Sequence, residues 1–245
     1  MTSEPILLLF DIDGTLLHTE GRSRQAVTDA FTQVLGAPAD FSSYSFSGRT
    51  DYRIFTDLLA MMRPDLDGCL VRDRLFPAYL RLLDDNLRSL RVTVYPGIEA
   101  LLERLAREPA CAVALLTGNQ RRGAGIKLHH AGLEAHFPGL TGAFGDASLE
   151  REPLFPVAME VAARGFGRSF APSRTLVIGD SIHDIRCARA GGAPVLAVAT
   201  GYTTREELAA EQPDLLLDSV ADTDGVMTFI TSLGCVASRT QIQSF

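Results

Sequence analysis

Apolar residues run unbroken from Ile6 to Phe10 and give way to Asp11, Ile12, Asp13, Gly14 and Thr15. A short continuous apolar run bounded by turn residues is the pattern of a fully buried strand, so the chain opens on a strand tipped with two acids. From about Glu20 to Gly36 the apolar positions fall at helical spacing, as do those of Asp51 to Met62 and Leu70 to Leu90, with little strand character between them. Beyond Thr93 the pattern alternates: helix from "PGIEALLERLA", strand "CAVALLTG", helix to Gly132, short strand "LTGAFGD", helix "PLFPVAMEVAARG", strand "RTLVIGD", helix "IHDIRCARAGG", strand "PVLAVATG". Strands and helices taking turns predict an α/β fold, a Rossmann-like parallel sheet with helices on both faces. The pattern divides the chain into an α/β core over residues 1–16 and 92–235, an α-helical insert over 17–91 that returns through "VYPG", and a polar tail over 236–245.

In open parallel sheets ligands sit at the carboxyl ends of the strands. Three predicted strands end in unusual residues: Asp11 and Asp13 after the first, Thr117 in "LLTGNQ", and Asp180 with Asp184 in "VIGDSIHD". Extended backbone projects Asp11 and Asp13 to one side, where like charges repel and lose hydration. A helix starting near Ser181 returns Asp180 and Asp184 toward one pocket. Four converging acids require a hard cation, and oxygen ligands with retained waters suit Mg²⁺. A calcium loop of the EF-hand type is excluded, because counting from Asp11 its glycine and glutamate positions hold Leu16 and Arg22.

The 245 residues, 46% of them apolar, suffice for a substantial core. A net charge of −7 argues against a nucleic-acid or anionic-membrane partner and leaves a small-molecule one. The apolar run before Asp11 is too short for a signal peptide or a membrane span. Cys69, Cys111, Cys187 and Cys235 are widely spaced, as expected of thiols in a reducing compartment, so the expected location is the cytoplasm. Of the 23 basic residues only Lys127 is a lysine.

"LLFDIDGTLL", "LLTGN" and "VIGDSIHDIRCARAGG", in this order, resemble the first, second and fourth motifs of the haloacid dehalogenase-like hydrolases, most closely the phosphoglycolate phosphatase-like branch with a helical cap domain after the first motif. The resemblance implies that Asp11 attacks the phosphorus of a phosphomonoester to form an aspartyl-phosphate, and that Asp13 protonates the leaving group and later deprotonates water. It further implies Mg²⁺ held by Asp11, the Asp13 carbonyl and Asp180, with Asp184 orienting ligand waters. Thr117, with the N–H groups of Gly118 and Asn119 at a helix start, would bind phosphoryl oxygens.

The third motif departs from the pattern: where the family places a lysine, this chain reads "LEREPLFP", which makes Arg151 the candidate for neutralising the transferring phosphoryl group. Lys127 is the rival for that role, but it lies ten residues past Thr117, about 15 Å of helical rise, and is expected to be a solvated surface lysine. In the insert, "FSGRTDYRIF" places Gly48 and Arg49 before a helix, where Arg49 would grip a substrate anion in bidentate fashion. The implied substrate is a small phosphorylated metabolite, with phosphoglycolate first. Asp13 speaks against a dehalogenase, and the lack of an insert lysine excludes Schiff-base phosphonate chemistry. A sugar-phosphate mutase, disfavoured by Ser23 where such enzymes carry histidine, and a non-catalytic phospho-ligand-binding module are the alternatives.

Overall fold

The computed structural model describes residues 4–89 and 92–236. Strand β1 (Ile6–Phe10) leads through the short β2 (Leu17–His18) into three helices, α1 (Arg22–Leu35), α2 (Asp51–Met62) and α3 (Phe76–Arg88), and the chain returns through β3 (Thr93–Val94). Thereafter α4 (Ile98–Leu105), β4 (Cys111–Leu116), α5 (Arg121–Ala131), β5 (Gly142–Ala143), α6 (Leu154–Phe166), β6 (Thr175–Gly179), α7 (Ile182–Ala190), β7 (Val195–Val198), α8 (Arg205–Ala210), β8 (Leu215–Leu217) and α9 (Thr223–Val236) alternate. Six strands form one parallel sheet in the order β5-β4-β1-β6-β7-β8.

The first strand sits between β4 and β6 with Leu7, Leu8, Leu9 and Phe10 wholly buried. Its side chains divide by parity: Ile6, Leu8 and Phe10 join a core that includes α4, α5 and the insert helices, while Leu7 and Leu9 join a second core with α6 and α7. That division is why the run shows no polar alternation, since both faces of the strand are covered.

Two local expectations need correction. The segment predicted as one helix from Leu70 to Leu90 opens with a π-helical turn, Val71–Leu75, before α3. Pro77 has no N–H to donate to the preceding turn, and the widened turn accommodates it. At the return through "VYPG", β3 pairs antiparallel with β2, Leu17 opposite Val94 and His18 opposite Thr93, so the two crossings between insert and sheet are zipped together. The strand predicted in "LTGAFGD" shrinks to Gly142–Ala143 at the sheet edge, where it has only β4 to pair with. The insert's far boundary at Leu90 and Arg91, and residues 237–245 of the predicted tail, lie outside the described residues. Among the described residues no helix is long and apolar enough to cross a membrane.

Candidate active site

The acids predicted at the strand tips meet. Asp11 follows β1 and continues its ladder, its N–H donating to the Ile178 carbonyl at 3.0 Å. The chain then turns at Gly14, whose φ of 85° lies in the left-handed region that glycine adopts without strain. Thr15 Oγ1 donates to Asp180 Oδ1 at 3.0 Å, tying that turn to the tip of β6. Ser181 caps α7, and Asp184 closes the capping box by accepting from Ser181 N at 3.0 Å and Oγ at 2.6 Å. Its other carboxylate oxygen faces the site. Asp11, Asp180 and Asp184 each offer a carboxylate oxygen, all within 4.8 Å of one another and all buried. Asp13 is outside this group; its Oδ2 accepts from Asn119 and Lys127.

Burial is the chief reason that the Asp11 carboxyl is pushed up to about 6; Asp184 and Asp13 add to the rise, and Arg151 opposes it. Asp180 is raised well above the carboxylate range by burial and then by Asp11 and Asp184. Ionised together, the three acids would outnumber the one guanidinium beside them.

Arg151, expected at the third motif, lies among these acids. Its side chain is buried, with Nη2 3.0 Å from Asp11 Oδ1, in a hydrogen bond to Asp184 Oδ1, and donating to the Leu116 carbonyl at 3.1 Å. Burial alone would lower the guanidinium's pKa, but Asp11 and Asp184 outweigh it and hold it above its ordinary value. Arg151 Nε is buried and makes no hydrogen bond among the described residues.

Lys127 overturns its expectation. It is 3% exposed, and its Nζ donates to Asp13 Oδ2 and to Asn119 Oδ1, each at 2.6 Å. The distance of about 15 Å counted helix from Thr117, whereas α5 begins only at Arg121 behind its cap, Gln120, so about 9 Å of helical rise separates its start from Lys127. Helical side chains lean toward the N-terminus, and the long lysine stem carries the ammonium back to the strand tip. The same cap places Gly118 and Asn119 ahead of the helix, not at its start as expected. Thr117 is wholly buried, and its Oγ1 accepts from Asn119 Nδ2 at 2.9 Å. The chain's lone lysine was the available sign of this residue.

The insert is docked onto these tips. The Asp51 N–H donates to the Gly118 carbonyl at 2.6 Å and the Tyr52 N–H to the Gly145 carbonyl at 3.2 Å, so core carbonyls satisfy free N–H groups in the first turn of α2. Thr50 caps that helix and donates to the Leu149 carbonyl at 2.9 Å. Gly48 adopts φ 67°, packs against Ser181 and His183, and accepts from Arg151 Nη1 at 3.4 Å. Arg49 is 38% exposed, 3.3 Å from both Asp57 Oδ2 and the Tyr44 hydroxyl. Asp51, which the sequence did not single out, is buried; Gln120 N donates to its Oδ2 at 2.7 Å. Burial raises its carboxyl to about 6 against the lowering effect of Lys127 and the Gln120 N–H. A cavity of about 440 Å³ lies between insert and sheet, with Asp11, Asp13, Asn119, Lys127 and Arg151 at its core side and Arg24 and Arg49 on the insert side.

Three buried carboxylates against one guanidinium, two of them with raised pKa values, are a donor set that fits a divalent cation with oxygen ligands. The model for haloacid dehalogenase-like hydrolases matches residues 7–192. A phosphoglycolate phosphatase of Nitrosococcus oceani is 27% identical over 93% of this chain and 99% of its own. Among solved structures, a hydrolase from Pseudomonas syringae superposes with a TM-score of 0.70 at 19% identity, covering 92% of this chain and 99% of that one. A variant of CbbY from Rhodobacter sphaeroides in complex with xylulose-(1,5)bisphosphate gives 0.65 at 24%, covering 89% and 95%. With the acid tips, the buried Arg151 and the parallel sheet beneath them, that match over residues 7–192 means that the chain belongs to the haloacid dehalogenase-like hydrolases.

Proposed function

We propose that this protein is a Mg²⁺-dependent phosphatase that hydrolyses a small phosphomonoester through an aspartyl-phosphate on Asp11. The observation that carries the reading is the placement of the Asp11 carboxylate, buried at the cavity floor, 3.0 Å from Arg151 and grouped with Asp180 and Asp184. The phosphoglycolate phosphatases among its relatives support phosphoglycolate as the first substrate to test. The helical segment 17–91 acts as a cap that covers the site.

In this reading an Asp11 oxygen attacks phosphorus while the bond to the ester oxygen breaks, and Asp13 gives its proton to the departing alkoxide. Water then attacks the phosphorus of the acyl phosphate, Asp13 takes its proton, and the bond to Asp11 breaks to release inorganic phosphate and the free carboxylate. Asp11, Asp180 and the main-chain carbonyl of Asp13 would hold Mg²⁺, with Asp184 orienting its waters, and the ion would supply charge neutralisation to the phosphoryl oxygens. Arg151 offers those oxygens its partnerless Nε–H and keeps Asp11 oriented through Nη2. Thr117 and the N–H groups of Gly118 and Asn119 would bind the phosphoryl oxygens, and Arg49 and Gly48 present the cap to the rest of the substrate.

The test is a panel of phosphate esters assayed with Mg²⁺ and with EDTA, on the parent and on Asp11→Asn. Hydrolysis that needs both the metal and Asp11 supports the reading. A parent that binds esters but hydrolyses none, with Asp11→Asn binding equally well, replaces it with a binding module.

A further inference from the structure

We propose that Lys127 is a positioning residue that, together with Asn119, clamps Oδ2 of Asp13 and thereby leaves Oδ1 as the oxygen that transfers the proton. The inference rests on the phosphatase reading above and deepens it.

Two donors converge on one carboxylate oxygen. Lys127 Nζ reaches Asp13 Oδ2 at 2.6 Å, and Asn119 Nδ2 reaches the same oxygen at 2.7 Å. The donors are themselves tied: Lys127 Nζ donates to Asn119 Oδ1 at 2.6 Å, and Asn119 Nδ2 donates to Thr117 Oγ1 at 2.9 Å. Amide and ammonium thus form a braced pair anchored on the tip of β4 and the second turn of α5. Asp13 Oδ1 accepts no hydrogen bond among the described residues, and the side chain, 41% exposed, lines the cavity.

A purely structural role accounts poorly for this arrangement. A buried ion pair is weak support for stability, because desolvating the ammonium costs as much as the pairing returns, and here the partner carboxylate stays open to the cavity. The arrangement serves proton transfer better. Terminal carboxylate torsions are broad, while a general acid must hold its oxygen within about 2.6–3.2 Å of the ester oxygen. Two donors on Oδ2 remove that freedom and present the other lone pairs to the substrate. Lys127 then acts through Asp13 without touching the phosphoryl group. The ammonium also lies near the buried Asp51 of α2, which lets the docked insert help hold it in place.

The test compares the parent with Lys127→Met on phosphoglycolate, whose alkoxide needs an acid to leave, and on p-nitrophenyl phosphate, whose nitrophenolate does not. Expected for Lys127→Met is a kcat on phosphoglycolate lower by about 10- to 100-fold, a fraction of the whole acid–base contribution, with KM within about threefold. The rapid-quench burst of nitrophenolate, which reports attack by Asp11, stays within about threefold of the parent, while its steady-state release slows because water attack still needs Asp13. Ethylammonium added to Lys127→Ala restores part of the lost kcat, and Lys127→Gln, which keeps one donor for Oδ2, serves if the methionine variant does not fold. A raised KM with unchanged kcat makes Lys127 a substrate contact and overturns the assignment. So does an equal loss in the burst and in phosphoglycolate turnover, or no loss at all. A parent that hydrolyses neither ester overturns the phosphatase reading itself, whereas an active parent with an unaffected Lys127→Met overturns only the role of Lys127.

Discussion

Arg151 Nη2 stands 3.0 Å from Asp11 Oδ1 and at the same time donates to Asp184 Oδ1, so one guanidinium holds the acid at the tip of β1 and the acid in the first turn of α7. Both carboxylates and the guanidinium are buried, which makes this contact the electrostatic centre of the site.

Replacing Arg151 by Ala is therefore expected to act twice. Turnover falls by about a hundredfold or more, as for loss of a charge-stabilising donor. In the metal-free protein, three buried carboxylates lose their cation, at a stability cost of about 3–5 kcal/mol. Added Mg²⁺ returns part of that stability but not the turnover. Steady-state kinetics and thermal unfolding with and without Mg²⁺ check both; an unchanged rate removes Arg151 from the site.

Metal binding should weaken as pH falls. Asp11, raised to about 6, and Asp180, raised well above the usual carboxylate range, take up protons that a cation must displace, so affinity for Mg²⁺ drops as pH falls from about 7 to about 5. Near neutral pH, Mg²⁺ at a hundred times its Kd stabilises the fold by about 2.7 kcal/mol. Calorimetric titration at several pH values measures the first effect and melting curves the second. A pH-independent affinity would exclude these acids as the ligands.

Asp51→Asn gives a stability test with a defined sign. The folded carboxyl titrates near 6 against 3.8 for the ordinary group, so its protonated form is the one the fold favours. Its contribution is complete at pH below about 4 and is lost as pH rises through 6. Asparagine keeps the oxygen that accepts from Gln120 N and never ionises. The variant should match the parent at pH 4 and exceed it above pH 6 by about 3 kcal/mol. Denaturant unfolding across that range decides it.

Gly201→Ala probes the Asp180 wall. A Cβ at Gly201 falls on the Asp180 carboxylate, at a position without positive φ, so the damage is local displacement of that side chain. Mg²⁺ affinity should fall by about tenfold or more, as for disturbance of a ligand's support. A native affinity would show that Asp180 does not hold the ion.

Arg49→Ala should shift preference among esters more than it lowers the chemistry. The side chain is partly exposed and paired with Asp57, and pairs of this kind contribute about 1 kcal/mol or less to stability. Equal kcat/KM losses across the ester panel would contradict a specificity role.

Much of this protein was legible in its sequence because local pattern carries it. Apolar runs broken by helical spacing define a parallel sheet whatever its exact register, and acids at the ends of buried strands must share the sheet's carboxyl edge. Asp11, Asp180 and Asp184 follow from that rule, Arg151 came only from the resemblance of its segment to the family's third motif, and the four do meet. What pattern cannot supply is the direction of a long side chain and the contacts between segments far apart in the chain. Lys127 reads as a surface residue when distance is counted along the helix, but α5 starts late and the stem leans back toward the cap, so the ammonium ends beside Asp13. Asp51 reads as a helix's first acid, and only the docking of α2 on the β4 loop buries it. The sequence by itself determined which strand tips carry acid; the tertiary structure decided which cations and which helix turns meet them, because those meetings are set by the packing of the insert and α5 against the sheet, and no local periodicity records that packing.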